Sequence, residues 1–326
     1  PNTGEVSVPD KRLQALAAIA NSKEILPARM TFVDIAGLVK GASKGEGLGN
    51  QFLANIRECD AIAHVLRCFD DDDVTHVDGR VNPIEDAETI EMELMLADLE
   101  SIEKRQQGLV RKIKGGDKEA ILQTELLKRA KIALEEGKPA RTVEIAEDEE
   151  SAWKQLTLLT AKPVLFVCNV EEDNAGEGNA HSAAVAEMAA AQGAASVVIS
   201  AAIEEEISQL DEEEAEMFLS ELGLEEAGLD RLIAAGYELL GLQTYFTVGP
   251  KETRAWTIKK DTSAPQAAGV IHTDFERGFI RAETIAYDDY IACNGEQGAK
   301  EKGKMRAEGK GYTVADGDVL HFLFNT

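Results

Sequence analysis

Four short apolar runs stand out along the first two hundred positions of the chain. They cover residues 30–34, 61–69, 163–169 and 196–200, and polar side chains interrupt them only rarely. Runs of this kind are typical of parallel strands that are buried on both faces. Segments of helical character at 48–58 and 179–192 lie between them. The alternation predicts a doubly wound α/β sheet.

A longer helical pattern interrupts this alternation from residue 84 to residue 150. Apolar residues recur at helical spacing on both sides of the sequence Lys114-Gly115-Gly116-Asp117. Two long helices joined by a short glycine turn form an antiparallel helical hairpin. We expect this hairpin to be inserted into a sheet domain that consists of residues 1–83 and 151–238.

The last part of the chain, residues 239–326, follows a third pattern. Apolar runs at 254–258, 268–272 and 319–324 predict strands, and the segment 273–281 predicts a helix. Asp316-Gly317-Asp318 has the composition of a tight turn. We therefore expect a small mixed-sheet domain here.

The distribution of charge changes the picture of the hairpin. The formal net charge of −26 argues against general affinity for nucleic acids. Between residues 104 and 131, however, nine Lys or Arg residues stand against three Asp or Glu residues. These charges either stabilise a surface helix pair through i,i+4 contacts or bind a polyanion. The candidates for contact with RNA are Lys104, Arg105, Arg111, Lys112 and Lys114 on the hairpin, and Lys300, Lys302, Lys304, Arg306 and Lys310 near the C-terminus.

Composition excludes several other classes of protein. No apolar run approaches the roughly 18 residues of a membrane span, and no secretory signal is visible, so we expect no membrane partner. The four cysteines form no C-x-x-C pair, which indicates reduced thiols in a cytoplasmic protein. The five histidines show no metal-ligand spacing, which argues against a structural zinc site. A monomer is expected.

The first candidate for chemistry is the strand at 30–34, which ends in Asp34 and leads into Gly37 and Leu38. P-loop nucleotide hydrolases place a Mg²⁺-directing carboxylate beside a γ-phosphate in this way. The backbone N–H of Gly37 can approach the phosphate because glycine has no side chain. The glycine-rich segment 41–49 follows and has the composition of a switch loop. The motif G-x-x-x-x-G-K-[ST] occurs nowhere in these 326 residues.

The second candidate lies at the carboxyl end of the run 163–169, where α/β sheets bind ligands. Asn169-Val170-Glu171-Glu172 stands where GTPases carry N-K-x-D, with Val170 in place of the Lys and Glu172 in place of the Asp. The extra methylene of Glu172 displaces its carboxylate, which weakens a two-point contact with guanine and admits adenine. Ser200-Ala201-Ala202, after the next run, fits the remaining base-contacting loop.

These motifs together resemble the Obg-like ATPase family, also called YchF, along nearly the whole chain. The matching segments are 34–38, 41–50, Asn169 with Glu172, and 274–283. The resemblance implies an OBG-type nucleotide domain, the inserted hairpin and a C-terminal TGS domain with a ubiquitin-like β-grasp fold. It further implies a preference for ATP over GTP and association with the ribosome, with the large subunit or its RNA as the expected partner.

The resemblance also bears on the cofactors and the rate of hydrolysis. It implies Mg²⁺ bound with ATP, held by Asp34 through water. Leu38 stands where most GTPases carry a water-orienting Gln, so we expect slow turnover unless a partner, a K⁺ ion or another residue replaces that function. No general base is identifiable in the sequence.

Two functions of different class remain open. The first is an ATPase switch whose nucleotide state controls ribosome binding. The second is a ribosome- or RNA-binding module whose nucleotide domain is inactive. In the family the phosphate loop precedes the segment that Pro1-Asn2-Thr3-Gly4 resembles. The resemblance therefore implies that the 326 residues alone bind ATP poorly, because they lack the P-loop lysine and its backbone nest.

Overall fold

The computed structural model describes residues 2–35, 48–70 and 81–325, with the side chains of 48–51 excepted. Its strands are β1 Asn2–Ser7, β2 Glu24–Leu26, β3 Arg29–Asp34, β4 Ile62–Arg67, β5 Val164–Asn169, β6 Ala195–Ile199, β7 Leu242–Val248, β8 Glu252–Lys259, β9 Phe279–Ile285, β10 Arg306–Glu308 and β11 Val319–Phe324. Its helices are α1 Lys11–Ala20, α2 Leu48–Glu58, α3 Pro83–Lys114, α4 Lys118–Glu135, α5 Glu150–Gln155, α6 Ala180–Ala191, α7 Ala201–Ile207, α8 Glu212–Glu221, α9 Gly228–Leu239, α10 Ala264–Ile271, α11 Thr273–Arg277, α12 Tyr287–Ala292 and α13 Glu296–Glu301.

The chain divides into two compact units, one of residues 1–3 and 33–235 and the other of residues 4–32 and 236–326. No helix in the described part of the chain is long and apolar enough to cross a membrane. The four cysteines are free thiols, and three of them are buried.

The first unit contains a parallel sheet in the order β4-β5-β6. Every side chain of β5 from Val164 to Cys168 is buried, as expected of a strand covered on both faces. Three of the four predicted strands are therefore adjacent and parallel. The fourth, β3, pairs with β1 in a separate two-stranded sheet.

The inserted hairpin has the predicted form. Helices α3 and α4 are joined by Gly115 and Gly116, and Gly116 has a φ of +79°, which favours glycine. Asp117 caps the start of α4 by accepting hydrogen bonds from two backbone N–H groups. A core of buried apolar side chains, among them Ile102, Leu126 and Leu127, joins the two helices.

At the base of the hairpin a buried carboxylate connects α3 to the sheet. Asp98, only 1% exposed, accepts hydrogen bonds from the backbone N–H groups of Leu159 and Thr160 and from the Thr160 hydroxyl. Burial raises the pKa of Asp98, and these hydrogen bonds act in the opposite direction. The segment they fix leads directly into β5, so Asp98 sets the entry to the central strand.

The second unit is built on a mixed sheet in the order β10-β9-β11-β7-β8-β2. Strands β7 and β11 are parallel, while β7–β8, β9–β11 and β9–β10 are antiparallel. Successive side chains alternate between its faces. Tyr245 and Leu320 join a core with α10, whereas Phe246 and Val319 join a core with α1, α12 and α13.

Two sequence predictions for this unit are wrong. The run 268–272 is not a strand, because it lies largely in α10. A capping box at Ser263 and a proline in the first turn start that helix, and its alanines favour it. The helix predicted for 273–281 ends at Arg277, and Phe279 already begins β9.

The predicted sheet domain of residues 1–83 and 151–238 does not coincide with the first compact unit. Residues 4–32 pack with the C-terminal residues, because β2 extends the mixed sheet beside β8 and Leu13 and Leu16 of α1 enter its core. Arg12 forms a 2.7 Å ion pair with Asp316. Its hydrogen bond to Asp10, and to a smaller extent this contact with Asp316, raises the pKa of Arg12. These contacts link segments more than 200 residues apart.

Candidate nucleotide site

The carboxyl ends of β5 and β6 are joined by side-chain and backbone hydrogen bonds. The Asn169 side-chain oxygen accepts a hydrogen bond of 2.9 Å from the backbone N–H of Ala201. One residue on, the Val170 N–H donates to the Ile199 carbonyl, also at 2.9 Å. The structure thus brings together two predicted loops, and Asn169 is the side chain that ties them.

The exposed rim of this edge consists of the predicted base-contacting residues. Glu172 and the first two residues of α7, Ala201 and Ala202, are exposed to solvent. Ser200 is 2% exposed, and its hydroxyl has no hydrogen-bond partner in the described structure. The Glu172 carboxylate therefore faces solvent, whereas the Ser200 hydroxyl is buried without a partner among the described residues.

Val170 occupies a different place from the other predicted site residues. Its side chain is 3% exposed and belongs to the core of the parallel sheet, together with Leu66, Phe166 and Val185. It therefore contributes to the site through its backbone, not through its side chain.

Glu171 is a part of the site that the motif comparison did not single out. Its carboxylate accepts hydrogen bonds from the Asp70 backbone N–H at 3.2 Å, from Asn174 at 3.1 Å and from Asn179 at 3.3 Å. Burial alone would raise the pKa of Glu171, but the hydrogen bonds outweigh it and the pKa is lowered. Asn179 also donates to the Cys68 carbonyl. A charged Glu171 thereby fixes the loop after β5 to the end of β4.

Asp34 lies at the end of β3, and its side chain is exposed. Because β3 and β5 belong to different sheets, strand pairing does not place Asp34 beside the loop that contains Asn169. Gly37, Leu38 and the glycine-rich segment 41–47 lie outside the described residues.

The basic candidates fall into two groups. The first group is exposed and forms no ion pair with a described residue. It consists of Arg111, Lys112 and Lys114, in the last turn of α3, together with Lys300 and Lys302. Lys310 is likewise exposed and forms no ion pair with a described residue, whereas Arg306 pairs with Glu308 and the remaining candidates also have partners. Lys104 pairs with Glu100, Lys304 pairs with Asp289, and Arg105 donates to Thr157 and the Gln155 carbonyl.

Arg105 is therefore largely structural. Burial lowers the pKa of its guanidinium, and the nearby Arg57 adds to that effect. The free positive charge of the hairpin is concentrated beside its turn.

Comparison with curated proteins identifies relatives over the full length of the chain. The protein named Ribosome-binding ATPase YchF from Bacillus subtilis is 56% identical over 327 residues, which is 100% of this chain and 89% of the relative. The protein of the same name from Escherichia coli O157:H7 is 55% identical over 325 residues, with the same coverage. The chain belongs to the YchF family.

Two family models match parts of this YchF chain. The model MMR_HSR1, described as a 50S ribosome-binding GTPase, matches residues 14–98. The model YchF-GTPase_C, described as a protein of unknown function (DUF933), matches residues 242–325.

Solved structures agree with this assignment. The structure of the Schizosaccharomyces pombe YchF GTPase superposes with a TM-score of 0.87 at 38% identity, covering 99% of this chain and 88% of the other. A GTP binding protein from Pyrococcus horikoshii OT3, at 17% identity and a TM-score of 0.64, shares the fold. The predicted family and fold class, a P-loop NTPase domain with a hairpin and a TGS-like C-terminal domain, are confirmed.

Proposed function

We propose that this YchF protein is a ribosome-associated switch that binds and hydrolyses ATP, with GTP as the weaker substrate. The observation that carries the proposal is the rim formed by Asn169, Ala201 and the free carboxylate of Glu172. The names of its relatives, Ribosome-binding ATPase YchF, support it.

The proposed metal is Mg²⁺, bound together with the nucleotide. Mg²⁺ is commonly held by one or two carboxylates and the substrate phosphates, and it retains several water molecules. The exposed carboxylate of Asp34 at a strand end fits this role. We further propose that the protein is cytoplasmic and that it is a monomer.

The base preference is tested by Glu172→Asp in the protein expressed from its complete reading frame. Shortening this side chain restores the length that suits guanine, so the ratio of ATP affinity to GTP affinity should fall about tenfold, or about 1.4 kcal/mol. The control is Glu177→Asp, another exposed glutamate of the same loop. Titration calorimetry with both nucleotides measures the ratio.

An unchanged ratio in Glu172→Asp would overturn the proposed role of this loop. A lysine at position 170 is unsuitable for the experiment, although N-K-x-D carries one. Val170 is buried in the sheet core, and a charge there would destabilise the fold.

The proposed ribosome contact is the basic turn of the hairpin, and the 50S description of the matching model favours the large subunit. Reversing Arg111, Lys112 and Lys114 to Glu should weaken ribosome co-sedimentation. It should also reduce the slope of log affinity against log salt by about 0.7–0.9 for each phosphate that these side chains no longer neutralise.

The comparison variant is the pair Lys300→Glu and Lys302→Glu, which reverses exposed charge at the second group of candidates, in the C-terminal unit. Loss of binding in the comparison variant, with the hairpin variant unaffected, would move the contact to the C-terminal unit.

A further inference from the structure

Three side chains that are far apart in sequence converge on one face of the six-stranded sheet. Glu283 lies on β9 and His321 on β11, directly opposite each other in the antiparallel register. Glu296 is the first residue of α13, which packs on the same face through Ala299. The potential ligand atoms of the three side chains all lie within 4.8 Å of one another.

The same three residues line one small cavity. Its volume is about 20 Å³, which is enough to hold a single water-sized species. Apolar side chains complete the wall, among them Val248 and Met305. Glu283 has a side-chain exposure of 22% and His321 of 63%, so an ion can reach these two ligands from solvent.

The charges around the cavity are incompletely balanced by protein groups. Arg281 lies 3.5 Å from one Glu283 oxygen, and the Nδ1 of His321 lies 3.9 Å from the other. Glu296 forms no ion pair with a described residue. Two carboxylates that face the same small space repel each other unless a cation lies between them.

We propose that Glu283, Glu296 and His321 bind one divalent transition-metal ion of the Zn²⁺ type. One imidazole nitrogen and two carboxylate oxygens are all zinc ligands, and three protein ligands leave the fourth position of a tetrahedral zinc open to water. The imidazole selects against Mg²⁺ and Ca²⁺, which prefer ligand sets made of oxygen alone.

The backbone holds these ligands in place. Glu283 and His321 are fixed by paired strands, which position ligands more precisely than loops do. Gly298 of α13 approaches the Cys293 carbonyl so closely that no larger residue fits there, which fixes the helix that carries Glu296. A bound ion would link α13 to the sheet and stabilise this unit, because it binds the folded state alone.

The test is calorimetric titration of the full chain with ZnCl₂, and separately with MgCl₂. The wild type should bind one equivalent of Zn²⁺ through these three side chains, and the ligand variants are His321→Ala, Glu283→Gln and Glu296→Gln. Each substitution should weaken that equivalent by about tenfold or more, since even partners of metal ligands contribute 10–100-fold. Mg²⁺ should not compete at equal concentration.

The matched controls are His272→Ala and Glu301→Gln, which remove an exposed histidine and an exposed glutamate from the same unit. Both should retain the Zn²⁺ equivalent of the wild type. Thermal melting supplies a second readout, in which Zn²⁺ raises the Tm of the wild type and of the controls but not of the three ligand variants. Identical Zn²⁺ stoichiometry and affinity in wild type and ligand variants would overturn the proposal.

Discussion

The three-stranded parallel sheet and the six-stranded mixed sheet place their polar side chains differently. In the parallel sheet the strand interior is apolar, and the polar residues of the candidate site follow the strand ends, as Asn169 does after β5. In the mixed sheet the candidate ligands Glu283 and His321 stand in the middle of β9 and β11. Binding groups therefore collect at an edge in one sheet and on a face in the other.

The difference follows from what covers each sheet. A parallel strand that is buried on both faces offers no place for a charge along its length, so chemistry is confined to the loops. In the mixed sheet the short helices α12 and α13 cover only part of one face. Glu283 lies there between the buried Ala282 and Thr284, whose side chains point to the opposite face.

The largest effect is expected from a substitution that removes the support of the parallel sheet. In Asp98→Ala, two buried backbone N–H groups and the Thr160 hydroxyl lose their acceptor, so the free energy of unfolding should fall by about 4 kcal/mol. Amide exchange should increase in β5 and remain slow in β9 and β11. The control is Asp173→Ala, an exposed aspartate. An equal decrease of protection in both sheets would show that their stabilities are not separable.

The reciprocal experiment removes the support of the mixed sheet. A Cβ at position 298 would overlap the Cys293 carbonyl oxygen, so Gly298→Ala should cost about 3 kcal/mol. Amide exchange should increase in β9 and β11 this time. Gly309→Ala is the matched control, because a Cβ at that position meets nothing within 4 Å. A neutral Gly298→Ala would contradict the close packing of α13.

The two sheets also differ in how far the sequence predicts them. Each strand of the parallel sheet is a local apolar run, and the loop of Asn169 and Glu172 is a contiguous motif, so both were predictable from short windows. The hydrogen bonds by which Glu171 fixes this loop are not predictable from a short window of sequence. Its partner Asn179 lies eight residues on and Asp70 lies 101 residues earlier, and no local pattern joins them.

The mixed sheet depends on contacts that no local window contains. Strand β2 joins it beside β8 across more than 200 residues, so the local pattern of residues 4–32 does not indicate the C-terminal sheet. The spacing of the histidines within any one segment does not indicate a zinc site either. Glu283, Glu296 and His321 become neighbours only through strand register and the placement of α13.

The smallest expected effect concerns pH and the first strand of the parallel sheet. Burial lowers the pKa of His64, on β4, to about 4, although the charge of Asp86 acts to raise it. Above the ordinary pKa near 6.5 both folded and unfolded chains hold a neutral imidazole. Between these values the unfolded state binds the proton and the folded state does not, so stability decreases as pH falls.

At pH 5.5, about one unit below the ordinary pKa, His64 should lower the free energy of unfolding by about 1.4 kcal/mol. Replacing it in His64→Phe keeps a ring beside Phe166 and removes the titration. The gap in unfolding free energy between variant and wild type should therefore widen as pH falls from 7 toward 4. A pH profile of the wild type that runs parallel to that of His64→Phe would contradict the burial of this imidazole, which lies on a strand less buried than β5.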